Sequence, residues 1–282
     1  MKNNIKILVC CHKQSRLPSN SLFLPIQVGK ASSEVDLGII GDNEGNNMSE
    51  KNSSYCELTG MYWAWKNLKN IDVIGLCHYR RYFDFKGVCP ILSPCIQLPT
   101  NKFSDRIIEP DLTFLEQLKD GTLIVPRKTY YKLPVYANYC TNHISDDFKL
   151  LCRIFENEPE KYKRSFFRLM YNSNAVTHYN MFLMRWGDFD KYCSWLFDIL
   201  AKVESQTDIS HYNSVQKRIY GYMAERLMSV YIDANNLTTI RKPVIWFSDD
   251  NIVGKISFLK RLYRMIIYKF ATYLVRDRNL KK

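Results

Sequence analysis

Residues 73–83 (VIGLCHYRRYF) place four side chains able to bind a ligand at the end of one short apolar run: His78, Tyr79, Arg80 and Arg81. A guanidinium is a planar fork that donates two parallel charged hydrogen bonds to a phosphate. Arg80 and Arg81 therefore either neutralise the charge that develops on a diphosphate leaving group or pair with carboxylates on neighbouring loops and pin the structure. No acidic pair follows this run, which points to arginines rather than a metal as the source of positive charge there.

A second constellation is the polar stretch 42–51 (DNEGNNMSEK), followed by Tyr55, Cys56 and Glu57. Its amides and charges suit hydrogen bonds to a nucleobase, a ribose or a sugar. The alternative is a solvated turn with Ser53 or Ser54 as a helix cap and Glu57 as its capping partner. Trp63 and Trp65 lie about 200° apart on a helix, so both do not enter one core and one is free to line a pocket.

The acids offer less. Asp188-Phe189-Asp190 is the one Asp-x-Asp in the chain. It follows an apolar run and supplies hard oxygen ligands for Mg or Mn, or else Asp188 simply caps a helix. None of the five histidines forms an HExxH or HxxxH pair, which argues against a zinc hydrolase. His143, with Asp146 and Asp147 close by, and Glu225 in GYMAERL are the candidates for a base on an acceptor hydroxyl. A structural histidine and ion-paired acids are the alternative.

These groups need a scaffold. Apolar runs predict buried strands at 5–11, 72–77, 122–125, 180–185 and 239–247. Three- and four-residue spacing predicts helices at 55–68, 111–119 (closed by Gly121), 146–156, 159–170, 188–201 and 214–235. Strands alternating with helices give an α/β sheet. Ligands of open α/β sheets sit beyond the carboxyl ends of the strands, which brings His12, Lys13, His78, Arg80 and Arg81 to one rim.

The chain has 282 residues, 46% of them hydrophobic, with 40 Lys and Arg against 28 Asp and Glu. This composition supports a sizeable core and excludes a disordered or fibrous chain. Of the formal +12, most lies in residues 255–282, which carry nine basic residues and one acid. Nine cysteines without a CxxC favour a reducing compartment over a disulfide framework or zinc site. No apolar stretch is long enough to span a bilayer, and no signal peptide is apparent. The tail shows one apolar face (Ile256, Leu259, Leu262, Tyr263, Ile266, Ile267, Phe270, Leu274) opposite Arg261 and Arg264. That pattern suits an anionic membrane surface or a helix docked on the domain. Nothing in the body matches a nucleic-acid motif.

The runs GDNEGNNMSEKNSSYCELTGMYWAWKN, VIGLCHYRRYF, YNMFLMRWGDFDKYCSWLFDIL and QKRIYGYMAERLMSVYI together resemble the bacterial family known as domain of unknown function 4422. Its members occur in capsule, exopolysaccharide and O-antigen loci, and some look like galactofuranosyltransferases using UDP-galactofuranose. The resemblance covers roughly residues 5–247. It implies a GT-A-like nucleotide-sugar transferase domain over residues 1–250, followed by a basic amphipathic membrane-association segment at 251–282. Asn46, Lys51, Asn52, Tyr55, Glu57, Trp63, Trp65, Lys66, Asn67, His78, Tyr79, Arg80 and Arg81 match signature positions. With His12, Lys13 and Asp42, most of these form the expected donor-binding set; Glu44 and Met48 depart from the pattern. The implied reaction moves a hexose from a UDP-sugar to a lipid-linked oligosaccharide at the inner face of the cell membrane. It proceeds with inversion, through His143, Asp146, Asp147 or Glu225 as base, and Mn or Mg is a possible cofactor at Asp188 and Asp190. The alternatives are a phosphosugar transferase and a non-catalytic scaffold of polysaccharide assembly.

Overall fold

The computed structural model describes residues 3–250 together with Tyr263, Ile266 and Ile267. In chain order the strands are β1 (Ile5–Cys11), β2 (Phe23–Gln27), β3 (Ile40–Gly41), β4 (Val73–His78), β5 (Arg81–Phe83), β6 (Cys95–Leu98), β7 (Thr122–Pro126), β8 (Thr129–Tyr130), β9 (Ala175–Val176), β10 (Phe182–Arg185), β11 (Thr238–Lys242) and β12 (Val244–Phe247). The helices are α1 (Asn52–Tyr55), α2 (Leu58–Asn67), α3 (Asp105–Ile108), α4 (Leu112–Glu116), α5 (Val135–Asn142), α6 (Ser145–Glu156), α7 (Glu160–Asn172), α8 (Trp186–Glu204) and α9 (Ile219–Ala234). They fall into two compact units, one of Met1–Arg127, Tyr179–Ser194 and Thr238–Ile252, the other of Lys128–His178, Trp195–Leu237 and Val253–Lys282.

The first unit is built on one sheet in the order β11-β7-β10-β4-β1-β2-β3, with β5, β12 and β6 branching from β4. β1 runs parallel to both β2 and β4, and β10 is antiparallel to β4 and β7. Strand side chains alternate between faces. Ile5, Ile7, Val9 and Cys11 of β1 thus join Val73, Cys77, Tyr82, Phe83, Val244 and Phe247 in one apolar cluster. On the other face of β1, Cys10 meets α2, where Gly60 stands close enough that a Cβ would lie 2.8 Å from Val28 Cγ1 and 3.3 Å from Cys10 Sγ. Burial raises the thiols of Cys11 and Cys77 to about 12, so they act as small apolar side chains.

The chain passes from β1 outward to β2 and β3 and returns to β4 on the opposite side of β1. The order of strands therefore reverses between β1 and β4, and the crevice beyond their carboxyl ends is where open α/β sheets take ligands. Most of the predicted elements form, with departures: the predicted helix 55–68 breaks at Cys56 (φ 54°), leaving Tyr55 at the end of α1 and starting α2 at Leu58, and the predicted helix 214–235 becomes α-helical only from Ile219. The predicted strand 239–247 divides at Pro243, which has no N–H for a ladder, and its second half becomes β12, antiparallel to β5 and parallel to β6. The predicted helix 188–201 begins at Trp186, so Asp188 lies in its first turn rather than at its cap.

The second unit holds α5, α6, α7, α9, the later part of α8 and the two-stranded β8–β9 sheet. Its core is aromatic: the Phe155 and Phe166 rings stack at 4.0 Å, and Tyr162 stacks on Trp195 at 5.0 Å. The predicted tail helix lies outside the described residues except for Tyr263, Ile266 and Ile267, which are helical and exposed. Among the described residues no helix is long and apolar enough to cross a membrane.

Candidate functional site

At the switch point of the first unit lies a cavity of about 350 Å³, and its wall comes from four strand ends. Lys13, Gln14, Ser15 and Arg16 follow β1, Tyr79 and Arg80 follow β4, Thr100 and Phe103 follow β6, and Phe247, Ser248, Asp249 and Asp250 close β12 and its turn. Three cations (Lys13, Arg16, Arg80) thus share the wall with two carboxylates. Ser15 Oγ, Tyr79 Oη and Arg80 Nε are buried and have no hydrogen-bond partner among the described residues. Buried polar groups are nearly always paired, so these three are the atoms a polar ligand would satisfy. Burial raises the Tyr79 phenol, against the opposing pull of Arg80 and Arg81, and keeps it a neutral donor. His12 meets the Tyr79 ring edge-on at 5.1 Å.

The two arginines separate. Arg80 faces the cavity and lies 3.9 Å from the Asp250 carboxylate. Arg81 begins β5 and is not part of the wall; its guanidinium sits 4.5 Å from the Trp246 ring and 4.9 Å from the Tyr179 ring. Arg80 is the second residue of the two-residue turn that joins β4 to antiparallel β5, and Arg81 opens β5, so of the two only Arg80 lines the cavity. Tyr179 is in turn held through its carbonyl, 2.6 Å from His78 Nε2.

The polar loop of the sequence is shaped by its own side chains. Asp42, fully buried, accepts from Gly29 N at 2.9 Å, Lys30 N at 3.1 Å and the Ser49 hydroxyl. Gly29 is left-handed (φ 69°), and a Cβ there would meet Asn52 at 2.7 Å. Asn52 Nδ2 donates to Cys56 O and Thr59 Oγ1, and Asn46 exchanges hydrogen bonds with Asn67 through N–H to Oδ1 (3.1 Å) and Nδ2 to O (2.8 Å). Lys51 lies 6.0 Å from the Tyr55 ring. The capping pair expected at Ser53 or Ser54 with Glu57 does not form. Ser54 Oγ donates to Lys51 O, and Glu57 Oε1 instead accepts Asn180 Nδ2 at 2.7 Å. Trp63 is buried, while Trp65 is partly exposed, donates to Asp190 Oδ1 at 2.7 Å and carries the Lys66 ammonium 3.2 Å over its ring.

Asp188 and Asp190 do not converge on one point. Asp188 Oδ2 accepts from Gly121 N at 2.7 Å while Asp190 accepts from Trp65, as expected of residues two apart on a helix, which do not face each other. Among the described residues no group of three or more His, Cys, Asp or Glu is placed to hold a metal. The carboxylates in the cavity wall are Asp249 and Asp250, which sequence reasoning missed because they arrive from β12, far along the chain. Their turn is built: Thr100 N and Oγ1 hold Asp249, and Gln97 Nε2 holds the carbonyls of Ser248 and Asp250.

The four expected bases belong to the second unit. Asp146 is exposed and paired with Lys149 at 2.8 Å, which lowers its pKa. Asp147 is buried, which raises its pKa, and accepts the Tyr212 hydroxyl at 2.6 Å. His143 stacks on Tyr222 at 4.1 Å; burial, followed by nearby Arg226, lowers its pKa to about 4. Glu225 Oε2 lies 3.2 Å from His178 Nδ1 and accepts from Arg226 Nη1 at 3.2 Å, and His178 Nε2 is 2.6 Å from Tyr131 Oη. His178 thereby joins Glu225 in a network that sequence spacing did not connect.

A parallel-rich α/β sheet with a cationic cavity at its switch point suits an anionic ligand, and comparison finds the same fold in a glycosyltransferase. The chain is similar to a solved bifunctional glycosyltransferase, WbbM, in its apo form, with a TM-score of 0.79 and 28% sequence identity. The match covers 90% of this chain and 47% of that one, so the chain spans about half the length of that structure. The chain belongs to the family of domain of unknown function DUF4422, whose sequence profile matches residues 6–236. No curated protein matches it.

Proposed function

We propose that the protein is a glycosyltransferase that moves a hexose, galactofuranose from UDP-galactofuranose, to a hydroxyl of a lipid-linked oligosaccharide in bacterial surface-polysaccharide synthesis. The observation that carries this reading is the cavity between β1 and β4. It combines Lys13, Arg16 and Arg80 with three unpartnered buried polar atoms, at the place where an α/β sheet binds nucleotides. The diphosphate lies against the cations, Arg80 foremost, and its charge as a leaving group is stabilised there. Asp249 and Asp250 accept from ribose hydroxyls or, where a divalent ion accompanies the donor, offer it hard oxygens. Galactofuranose and the lipid-linked acceptor rest on the family resemblance. The nine basic residues of 255–282, with exposed Tyr263, Ile266 and Ile267, support a peripheral place on an anionic membrane.

Calorimetric titration of UDP, with and without Mn²⁺, tests the donor site. Saturable binding is expected with inorganic phosphate a poor competitor. No binding under either condition overturns the reading.

A further inference from the structure

We propose that Glu57 is the general base of the transfer. This rests on the glycosyltransferase reading above and names a residue of the donor-site unit for the step that the reading leaves unassigned.

Several acids stand around the rim. Most are already engaged by donors. Asp42 takes three hydrogen bonds, Asp249 is held by Thr100 and Asp250 faces Arg80. Glu57 differs. It is half-buried, its Oε1 accepts one bond from the neutral Asn180 amide, and among the described residues no cation lies within ion-pair distance and no donor reaches Oε2. A carboxylate fixed by a neutral amide keeps one lone-pair edge available and is not quenched by a counter-ion, which is what proton abstraction needs.

Its place fits. Glu57 directly precedes α2, and its carbonyl lies 3.8 Å from the Cys10 thiol. Cys10 pairs with His78 in the β1–β4 register, so the Glu57 backbone lies beside the carboxyl-terminal ends of β1 and β4, outside the residues that line the cavity.

Its partner is held at a cost. Tyr179 and Asn180 are consecutive non-glycine residues with positive φ (76° and 50°). Such backbone is found where the surroundings over-determine it, often at functional sites. Here the turn is fixed by His78 on the Tyr179 carbonyl and by Arg81 against the Tyr179 ring, and the result is to aim Asn180 Nδ2 at Glu57.

In the step, the acceptor O–H gives its proton to Glu57 Oε2 while its oxygen forms the new bond to the anomeric carbon. The bond from that carbon to the diphosphate oxygen breaks, and its electron pair leaves with UDP. One displacement inverts the centre.

The test measures UDP release from UDP-galactofuranose with water as acceptor, then with azide, an anion that needs no deprotonation. Glu57→Gln is expected to bind UDP as the wild type does and to lose about 100-fold or more in turnover with water. Glu57→Ala is expected to regain turnover with azide and to yield the glycosyl azide. Unchanged turnover in Glu57→Gln overturns the proposal, as does failure of azide to restore Glu57→Ala with UDP affinity intact, because a residue that only binds a sugar hydroxyl is not bypassed by an anionic nucleophile. Wild-type protein that binds no UDP, or releases none from any UDP-hexose, overturns the glycosyltransferase reading itself.

Discussion

Arg80 and Arg81 are joined by one peptide bond and serve different neighbours: Arg80 faces Asp250 across the cavity wall, and Arg81 lies between the rings of Trp246 and Tyr179. The sequence presents them as a pair, and the two-residue turn between β4 and β5 divides them, Arg80 lying in the turn and Arg81 in the strand. One lines the cavity and the other is a clamp joining β5 to β12 and to the turn before β10.

The division predicts opposite phenotypes. Arg80→Ala should weaken UDP binding about 10- to 100-fold, the worth of charged hydrogen bonds to a phosphate, with thermal stability little changed. Arg81→Lys should leave UDP affinity nearly intact and cost about 1–2 kcal/mol of stability, since an ammonium does not stack on two rings as a guanidinium does. Calorimetry and a denaturant titration on both variants check this. An equal loss of UDP affinity in both would show that the two act together on the diphosphate.

Asp250 bears on the same site with the opposite sign. Its carboxylate stands 3.9 Å from Arg80 and is largely exposed, so the pair itself is worth little. An incoming diphosphate nevertheless meets that negative charge. Asp250→Asn should tighten metal-free UDP binding about 2- to 5-fold and reduce any gain that Mn²⁺ brings. Weaker binding without metal would instead assign Asp250 to the ribose hydroxyls.

How much of this was legible in the sequence follows from the range of the forces involved. The apolar run of β1, the 3.6-residue periodicity of α6, α7 and α9 and the apolar run of β4 that ends at His78 are set by local pattern, and the chain states them directly. Asp249 and Asp250 were not legible, because only the pairing of β12 with β5 and β6 brings residue 250 to residue 80. The break at Pro243 was a readable signal for that turn. Likewise Glu57 read as a capping partner from its spacing to Ser53 and Ser54, but Asn180, 123 residues away, takes its carboxylate. The polar loop of residues 42–51 reads from composition as a ligand-binding surface or a solvated turn; residues 43–47 are exposed, and buried Asp42 accepts from the backbone N–H groups of Gly29 and Lys30, which a buried bend must satisfy first.

The second unit carries a pH signature of its own. His143 is stacked on Tyr222 with its pKa lowered from 6.5 to about 4 by burial, with Arg226 adding to the effect and Glu225 opposing it. Between those values the unfolded chain binds a proton at this residue and the folded chain does not, so stability rises with pH through the window. The contribution is fully present above about pH 6.5 and is lost as pH falls toward 4. It amounts to about 2 kcal/mol once the partial exposure of the ring is allowed for. His143→Phe keeps the aromatic stack and removes the titration. Urea titrations at pH 7 and pH 4.5 should therefore show a smaller acid loss in the variant than in the wild type. An identical loss in both would place the acid sensitivity elsewhere, with Asp147 excluded on sign, since its raised pKa makes its own contribution grow as pH falls.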